Sequence, residues 1–201
     1  MLTNRSIAPR LMVVGHARHG KDTFADMLCD MSNKIYKKRS SSECAIQHAI
    51  WPKLDEIYPA YFAEKLRAHA IAWGFESAYE ELYENRFNYR DEWKQVICDY
   101  NKEDKTRLMK QLYATSNIYV GIRSKQEFYA GRVEGIFDLS IWVDNPRIGA
   151  EKTNELDPLD CDLIVNNCGD LEVLEQRARD VLNYICPLFF KEGIQVNHND
   201  Y

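Results

Sequence analysis

Two glycines and a lysine near the start of the chain are spaced as in a loop that binds phosphate. They lie in the stretch VVGHARHGKDTFADML (13–28) and form the pattern G-x-x-x-x-G-K from Gly15 to Lys21. Glycines let the backbone wrap so that its amides, together with the free N–H groups of a following helix, point inward at an anion. The lysine supplies a mobile cation for the phosphates. These residues predict a phosphate loop of the Walker A type.

The residue after the lysine departs from the usual motif, in which Ser or Thr offers a hydroxyl to magnesium. Asp22 stands there, and Thr23 follows it. A carboxylate binds Mg²⁺ directly or through a water molecule, so we expect Asp22 and Thr23 to form the metal site. For Arg18, a solvated side chain at the loop tip is an open alternative to phosphate contact. The predicted phosphate-binding positions are Gly15, His16, Ala17, Arg18, His19, Gly20, Lys21, Asp22 and Thr23.

The residues around the loop predict the elements that would position it. An apolar run at 11–14 is typical of a short buried strand, and apolar residues at three- and four-residue intervals predict a helix over 21–31. Strand, glycine-containing turn and helix therefore follow one another in the order that a phosphate loop requires.

The rest of the chain alternates between helical and strand-like segments. Few glycines and a helical spacing of apolar residues predict several helices between about 44 and 115. Short β-rich runs follow at 116–122, 137–143 and 162–165, and a last helix is predicted over 171–184. This alternation indicates an α/β fold in which a mostly parallel sheet is covered on both faces.

Composition limits the classes of protein that fit. The chain has 201 residues, of which 45% are hydrophobic and 28% charged, which suits a single domain with a sizeable core. A net charge of -5 argues against a nucleic acid partner. The six cysteines form no C-x-x-C pair and predict reduced thiols rather than a metal cage. The apolar run before Gly15 is too short for a signal peptide or a membrane span, so we expect a cytoplasmic protein without a membrane partner.

GKDT at 20–23, in place of GKST, together with four later segments resembles the deoxynucleoside monophosphate kinases of bacteriophages, within the P-loop nucleoside monophosphate kinase superfamily. The resemblance extends from Leu11 to about Leu182. The segment YFAEKLRAHAIAWG (61–74) is similar to the first helix of the family's substrate domain, and IYVGIRSKQEF (118–128) is similar to a strand ending in Arg. The segment DLSIWVDNPRIG (138–149) is similar to the next strand with the start of a lid, and DLIVNNCGDLEVL (162–174) is similar to the last strand with its Asn-rich turn and closing helix.

The resemblance implies a three-layer P-loop kinase fold with a helical substrate-binding insertion and a short lid. We expect one kinase domain over 1–186, with the substrate-binding region at about 44–115, the lid at about 145–160 and a C-terminal tail at 187–201. The implied reaction transfers a phosphoryl group from ATP, with Mg²⁺, to a deoxynucleoside monophosphate for phage DNA synthesis in the host cytoplasm. A homodimer stays open. Two alternatives also stay open: a kinase of modified pyrimidines, including those within DNA, and a nucleotide-binding module without turnover.

The resemblance also assigns roles to arginines beyond the phosphate loop. Arg123, at the carboxyl end of a strand, would contact the acceptor monophosphate or the transferred phosphoryl group, with Glu127 beside it; a guanidinium fork suits phosphate oxygens. The alternative is a surface ion pair between Arg123 and Glu127. Arg147 would be a lid arginine that closes over the phosphates. The expected catalytic residues are therefore Lys21, Arg123 and Arg147.

Two further positions bear on the nucleotide site. Asn166 and Asn167 resemble the turn that lies against the donor base, although a helix-capping turn is the alternative. Gly121 stands where relatives often have an Asp that holds the magnesium shell. Asp22 then takes over the metal, or catalysis is weak, or the substrate differs from the family norm. Asp144 is another candidate outer-shell carboxylate.

The helical block offers cations beside aromatic rings in ENRFNYRDEW (84–93). Arg86 and Arg90 are four residues apart and are expected to share a helical face, with Trp93 near them. Such a cluster suits a nucleoside monophosphate, whose base stacks while its phosphate is clamped. Arg107 is a further candidate for this clamp. The alternative is an ordinary helix surface with Glu/Arg pairs.

Overall fold

The structure, a computed structural model, describes residues 8–151 and 153–189 of the chain. The predicted C-terminal tail, 187–201, lies outside the described residues from position 190 onward. Within the described part, no helix combines the length and the apolar character that crossing a membrane requires. The chain divides into two compact units, one of which contains the phosphate loop.

The unit with the phosphate loop, Met1–Arg39 together with Tyr113–Tyr201, contains a five-stranded sheet. Its strands are β1 (Leu11–Val14), β2 (Lys38–Ser40), β3 (Ile118–Val120), β4 (Leu139–Asp144) and β5 (Leu163–Asn166). They lie in the order β2-β3-β1-β4-β5. β1 pairs in parallel with both β3 and β4, and β4 pairs in parallel with β5. The strands predicted from apolar runs are therefore present, and the predicted parallel sheet is confirmed.

The helices of the described chain fall mainly between these strands. They are α1 (Lys21–Met31), α2 (Ser41–Ala45), α3 (Leu54–Ile57), α4 (Ala60–Trp73), α5 (Phe75–Asn85), α6 (Arg90–Tyr100), α7 (Arg107–Tyr113), α8 (Lys125–Val133) and α9 (Leu171–Phe189). Shorter helical turns are the π turn Ile46–Ile50 and the 3-10 turns Trp51–Lys53, Arg86–Tyr89 and Pro158–Asp160. Helix α1 has the bounds that the apolar spacing predicts.

Helices cover both faces of the sheet. Successive strand residues point to opposite faces, so Leu139 and Ile141 face one side while Ser140 faces the other. Leu139 and Ile141 belong to a core that includes buried residues of α1 and α9. Ser140 instead accepts a hydrogen bond from the guanidinium of Arg132 in α8 at 2.7 Å. The three layers of the predicted α/β fold are thus confirmed.

The second unit, Ser40–Leu112, is helical and has a core of its own. It is the helical insertion between β2 and β3 that the sequence predicts at about 44–115. Helix α2 begins with a capping box, in which Ser40 and Glu43 satisfy each other's backbone N–H groups. The core of this unit includes fully buried Ile46, Leu66 and Leu82.

Candidate functional site

The loop between β1 and α1 has the two glycines that its path requires. Gly15 has a φ of 147°, and a Cβ there would lie 2.4 Å from the carbonyl oxygen of Val143 in β4. Gly20 has a φ of 86°, and a Cβ there would lie 2.2 Å from Nδ2 of Asn167. Both positions combine a left-handed backbone with a close neighbour, so a larger residue is disfavoured on two grounds. The loop is therefore pressed against the ends of β4 and β5.

The start of α1 directs unpaired amides toward the loop. Gly20 is its N-cap residue, and the first helical hydrogen bond runs from the N–H of Phe24 to the carbonyl of Gly20 at 2.9 Å. Among the described residues, no side chain caps this end. The N–H groups of the first turn therefore remain available to an anion, and the helix dipole adds to the attraction.

Lys21 arches back over the loop. Its Nζ donates to the backbone carbonyl of His16 at 3.3 Å. Burial lowers the pKa of Lys21 below its ordinary value, and the nearby charge of Arg123 lowers it further against the opposing effects of Asp22 and Glu151. The positive charge of Arg123 therefore acts on the Lys21 ammonium group.

The side chain of His19 binds protein backbone rather than a ligand. The residue is 2% exposed. Its Nδ1 accepts from the N–H of Asn145 at 2.9 Å, so Nε2 carries the hydrogen and donates to the carbonyl of Ile148 at 3.1 Å. Only the backbone of His19 is left for a phosphate. Its imidazole ties the loop to the segment that follows β4.

Two other variable positions of the loop, His16 and Arg18, differ in their surroundings. The ring of His16 packs edge-on against His19 and Trp142, with centroid distances of 5.1 Å to each. Burial, followed by the neighbouring His19, lowers the pKa of His16 below its ordinary value. Arg18 is exposed at the tip and has a left-handed backbone with a φ of 66°. This position fits both a solvated Arg18 side chain and a contact between Arg18 and phosphate.

Arg123 and the loop meet at a carboxylate that the sequence did not single out. Glu151 Oε1 lies 2.9 Å from Arg123 Nη1, and Glu151 Oε2 accepts from the backbone N–H of Ala17 at 3.2 Å. Thr153 donates its hydroxyl to Glu151 Oε1 at 2.7 Å and receives a hydrogen bond from Arg123 at 3.2 Å. Glu151 is therefore an ion partner of Arg123, and the alternative of a pair with Glu127 stays open. The backbone N–H of Glu127 is capped by the Ser124 hydroxyl at 3.4 Å.

The Asn-rich turn after β5 supports the phosphate loop. Asn167 donates its side-chain amide to the carbonyl of His19 at 2.9 Å, and its backbone N–H bonds the carbonyl of Asp144 at 2.6 Å. Asn166 is exposed, and its side chain accepts from the N–H of Cys168 at 3.0 Å. Asp170, rather than either asparagine, bonds the first turn of α9. Asn167 thus lies beside the loop, and contact of either asparagine with a donor base stays a prediction.

The described part of the predicted lid, 145–151 and 153–160, contacts the start of α8. Glu155 accepts from the backbone N–H of Lys125 at 3.0 Å, and Asp160 bonds both the Lys125 ammonium at 3.0 Å and the Tyr129 hydroxyl at 2.6 Å. Arg147 is exposed near the beginning of this segment, with its backbone N–H bonded to Asn145 at 3.1 Å. Closure of Arg147 over phosphates stays a prediction.

The expected magnesium ligands are accessible but sparse. Asp22 and Thr23 are exposed on the first turn of α1. Gly121, at the end of β3, has a φ of 94° and donates its N–H to Val13 at 3.1 Å. In the described part of the chain, no cluster of three or more His, Cys, Asp or Glu side chains could hold a metal ion. Asp22 and Thr23 therefore fit Mg²⁺ only if phosphate oxygens complete its shell.

The arginines of the helical block occupy a different setting from the one that spacing predicts. Arg86 lies in a 3-10 turn and Arg90 begins α6, so the expected common helical face is wrong. The Arg86 guanidinium nevertheless lies 4.4 Å and that of Arg90 4.7 Å from the ring centre of Phe87, which is 58% exposed. Arg107 lies over the ring of Tyr100 at 4.3 Å.

Trp93 is a core residue of the second unit. It is 6% exposed, and its Nε1 donates to the hydroxyl of Tyr58 at 2.8 Å. The prediction that its ring offers a surface near the arginines is therefore wrong, because periodicity cannot distinguish a buried aromatic from an exposed one. Phe87 is the exposed ring beside Arg86 and Arg90. Their contact with a monophosphate stays a prediction.

Comparisons with other proteins add no family. No family model matches the chain, and no curated protein matches it. Among solved structures, the chain is similar to the crystal structure of TT1252 from Thermus thermophilus. The two share 20% sequence identity, with 88% of this chain and 98% of that chain covered and a TM-score of 0.47.

Proposed function

We propose that this protein transfers the γ-phosphoryl group of ATP to the phosphate of a deoxynucleoside monophosphate. The observation that carries the proposal is the loop between β1 and α1. Its two glycines have left-handed backbones, Lys21 reaches back over it, and the first turn of α1 offers unpaired amides. The loop also lies at the carboxyl ends of parallel strands, where open α/β sheets bind ligands.

The residues around the loop can supply the charge stabilisation that phosphoryl transfer requires. Backbone amides of the loop and of α1 hold the donor phosphates, while Lys21 and Arg123 neutralise charge on the transferred group. Such transfer needs no covalent intermediate, because positioning and electrostatics lower the barrier. Asp22 and Thr23 would hold Mg²⁺, which when bound neutralises charge on the phosphate oxygens.

The choice of acceptor rests on the sequence resemblance and on the arginines. The ordered segments behind GKDT are similar to those of phage deoxynucleoside monophosphate kinases. Arg86 and Arg90 flank an exposed phenylalanine ring, an arrangement that suits a base beside a phosphate. Arg107 and Arg123 are each further candidates for contact with the acceptor phosphate. Modified pyrimidines belong to the same acceptor class and form part of the test.

A nucleotide-binding module without turnover is a second candidate. Gly121 favours it, because the carboxylate that relatives use for the magnesium shell is missing at the end of β3. In that case the loop would bind ATP with the same donors, and no acceptor would receive a phosphoryl group.

A single assay separates the two candidates. The protein is incubated with ATP and Mg²⁺ and each deoxy- and ribonucleoside monophosphate in turn, including modified pyrimidines, and the diphosphate product is measured. Lys21→Ala should abolish the product, whereas Lys37→Ala, an exposed lysine of the same unit, should not. Formation of a diphosphate that depends on Lys21 supports the kinase. ATP binding without any diphosphate supports the binding module. Product formation that is unchanged in Lys21→Ala contradicts the role given to the loop in the kinase and in the binding module.

A further inference from the structure

The carboxylate of Glu151 lies where the phosphate loop offers its hydrogen-bond donors. Its two oxygens bond the Ala17 amide at 3.2 Å and the Thr153 hydroxyl at 2.7 Å, and one of them pairs with Arg123 at 2.9 Å. The side chain is 15% exposed. Glutamates are seldom covered to this extent unless donors or cations compensate the lost hydration. Here the compensating groups are the Ala17 amide of the loop, the Thr153 hydroxyl and the Arg123 guanidinium.

These donors are of the kinds that bind a phosphoryl group. A backbone amide in a glycine-containing loop and a guanidinium both serve phosphate as readily as carboxylate. Burial by itself raises the pKa of Glu151. The Thr153 hydroxyl, Arg123, the Ala17 amide and Lys21 outweigh burial and hold the pKa below its ordinary value. Glu151 is thus an anion surrounded by the groups that would receive phosphate oxygens.

A carboxylate elsewhere on the same segment shows the contrast. Glu155 accepts from the N–H of Lys125 at the start of α8, which is an ordinary helix-capping contact. Glu151 instead bonds an amide of the loop itself, 134 positions earlier in the chain. Two anions cannot share these donors without strong repulsion, so a phosphoryl group and Glu151 exclude each other there.

We propose that Glu151 occupies a phosphoryl-binding position of the loop as an internal anion, and that the terminal phosphate of a bound nucleotide displaces it. The inference rests on the proposed function, because it takes the incoming anion to be a nucleotide phosphate. Displacement also separates Arg123 from Glu151, so the guanidinium becomes available to the phosphoryl group. The apparent affinity for phosphate then equals the intrinsic affinity multiplied by the fraction of molecules in which Glu151 has left the position.

Titration calorimetry with inorganic tripolyphosphate tests the proposal without requiring turnover. Glu151→Gln keeps the size of the side chain and removes its charge, and Glu151→Ala removes the side chain beyond Cβ. We expect both variants to bind tripolyphosphate about three- to ten-fold more tightly than the wild type, as one competing charge-assisted contact is lost. Glu155→Gln is the matched control and should bind as the wild type does. Thermal unfolding of each variant verifies that it is folded.

The outcomes distinguish failure of this inference from failure of the proposed function. Equal or weaker binding by both Glu151 variants overturns the internal-anion role but leaves the phosphate loop as a nucleotide site. Tighter binding by Glu155→Gln to the same degree also overturns it, because general charge removal would then explain the effect. If none of the folded proteins binds tripolyphosphate or ATP, the inference and the proposed function both fail.

Discussion

Replacing Gly20 by alanine measures how closely the phosphate loop is packed against the turn after β5. A Cβ at this position would lie 2.2 Å from Nδ2 and 3.4 Å from Cγ of Asn167. Asn167 would have to move, and its hydrogen bond to the carbonyl of His19 at 2.9 Å would be lost or distorted. The backbone of Gly20 is also left-handed, with a φ of 86°. The substitution therefore has two separate costs.

The expected magnitude follows from these two costs. A left-handed backbone disfavours alanine by about 1 kcal/mol. Loss of the Asn167 hydrogen bond adds about 1 kcal/mol, and displacement of the side chain adds a similar amount. Gly20→Ala should thus lower the free energy of unfolding by about 2–3 kcal/mol. In an Asn167→Ala background the close neighbour is gone, and the same substitution should cost only about 1 kcal/mol.

Urea unfolding of the two single variants and the double variant yields the coupling energy. Gly135→Ala is the matched control, because Gly135 has a φ of 63° and no atom lies within 4 Å of an added Cβ. It should cost about 1 kcal/mol from the backbone alone. Hydrogen exchange of the α1 amides assigns the loss to the unit that holds the loop. A coupling below about 0.5 kcal/mol between positions 20 and 167 would refute the packing described for the loop.

Two other predictions concern the helical unit. The Thr106 hydroxyl, followed by Lys110, holds the pKa of Asp104 at about 2, below the ordinary value of 3.8. The ionised Asp104 carboxylate therefore contributes its full stabilisation above pH 3.8, and this contribution is lost as the pH falls toward 2. Urea midpoints should fall more steeply over this range for the wild type than for Asp104→Ala. This substitution removes the hydrogen bonds from Thr106 and should cost about 1 kcal/mol at neutral pH. Parallel curves would contradict the assignment. Tyr58→Phe removes the acceptor of the buried Trp93 N–H and should lower the free energy of unfolding by about 1–3 kcal/mol, measured in the same way, and a cost near zero would contradict the role of that bond.

Local sequence patterns predicted the elements around the phosphate loop well. The apolar run at 11–14 and the apolar spacing over 21–31 match β1 and α1, because these elements depend on neighbouring residues. The alternation of helices and strands likewise predicted the parallel sheet. Local spacing was misleading where it implied one continuous helix through Arg86 and Arg90, since the chain there forms a 3-10 turn before α6 begins.

Local sequence patterns do not predict contacts between residues that are far apart in the chain. The guanidinium of Arg123 pairs with Glu151, a distant residue in the predicted lid that local spacing does not indicate. The imidazole of His19 bonds backbone about 126–129 positions away, a pairing that no single-sequence periodicity contains. No local pattern pointed to a carboxylate bonded to a loop amide, since the charge of Glu151 has the sign of the expected ligand. The segment that carries Glu151 was singled out only as a lid.

Transfer of labelled γ-phosphoryl from ATP to a mixture of deoxynucleoside monophosphates, in the wild type and in Lys21→Ala, tests the central claim most directly. Lys37→Ala serves as the control for removal of a lysine from the same unit. We expect labelled diphosphate from the wild type and from Lys37→Ala, and a rate at least about 100-fold lower from Lys21→Ala with its fold intact. Equal rates from all three proteins would contradict the role of the phosphate loop, and the lack of labelled diphosphate from a folded wild type would contradict the kinase.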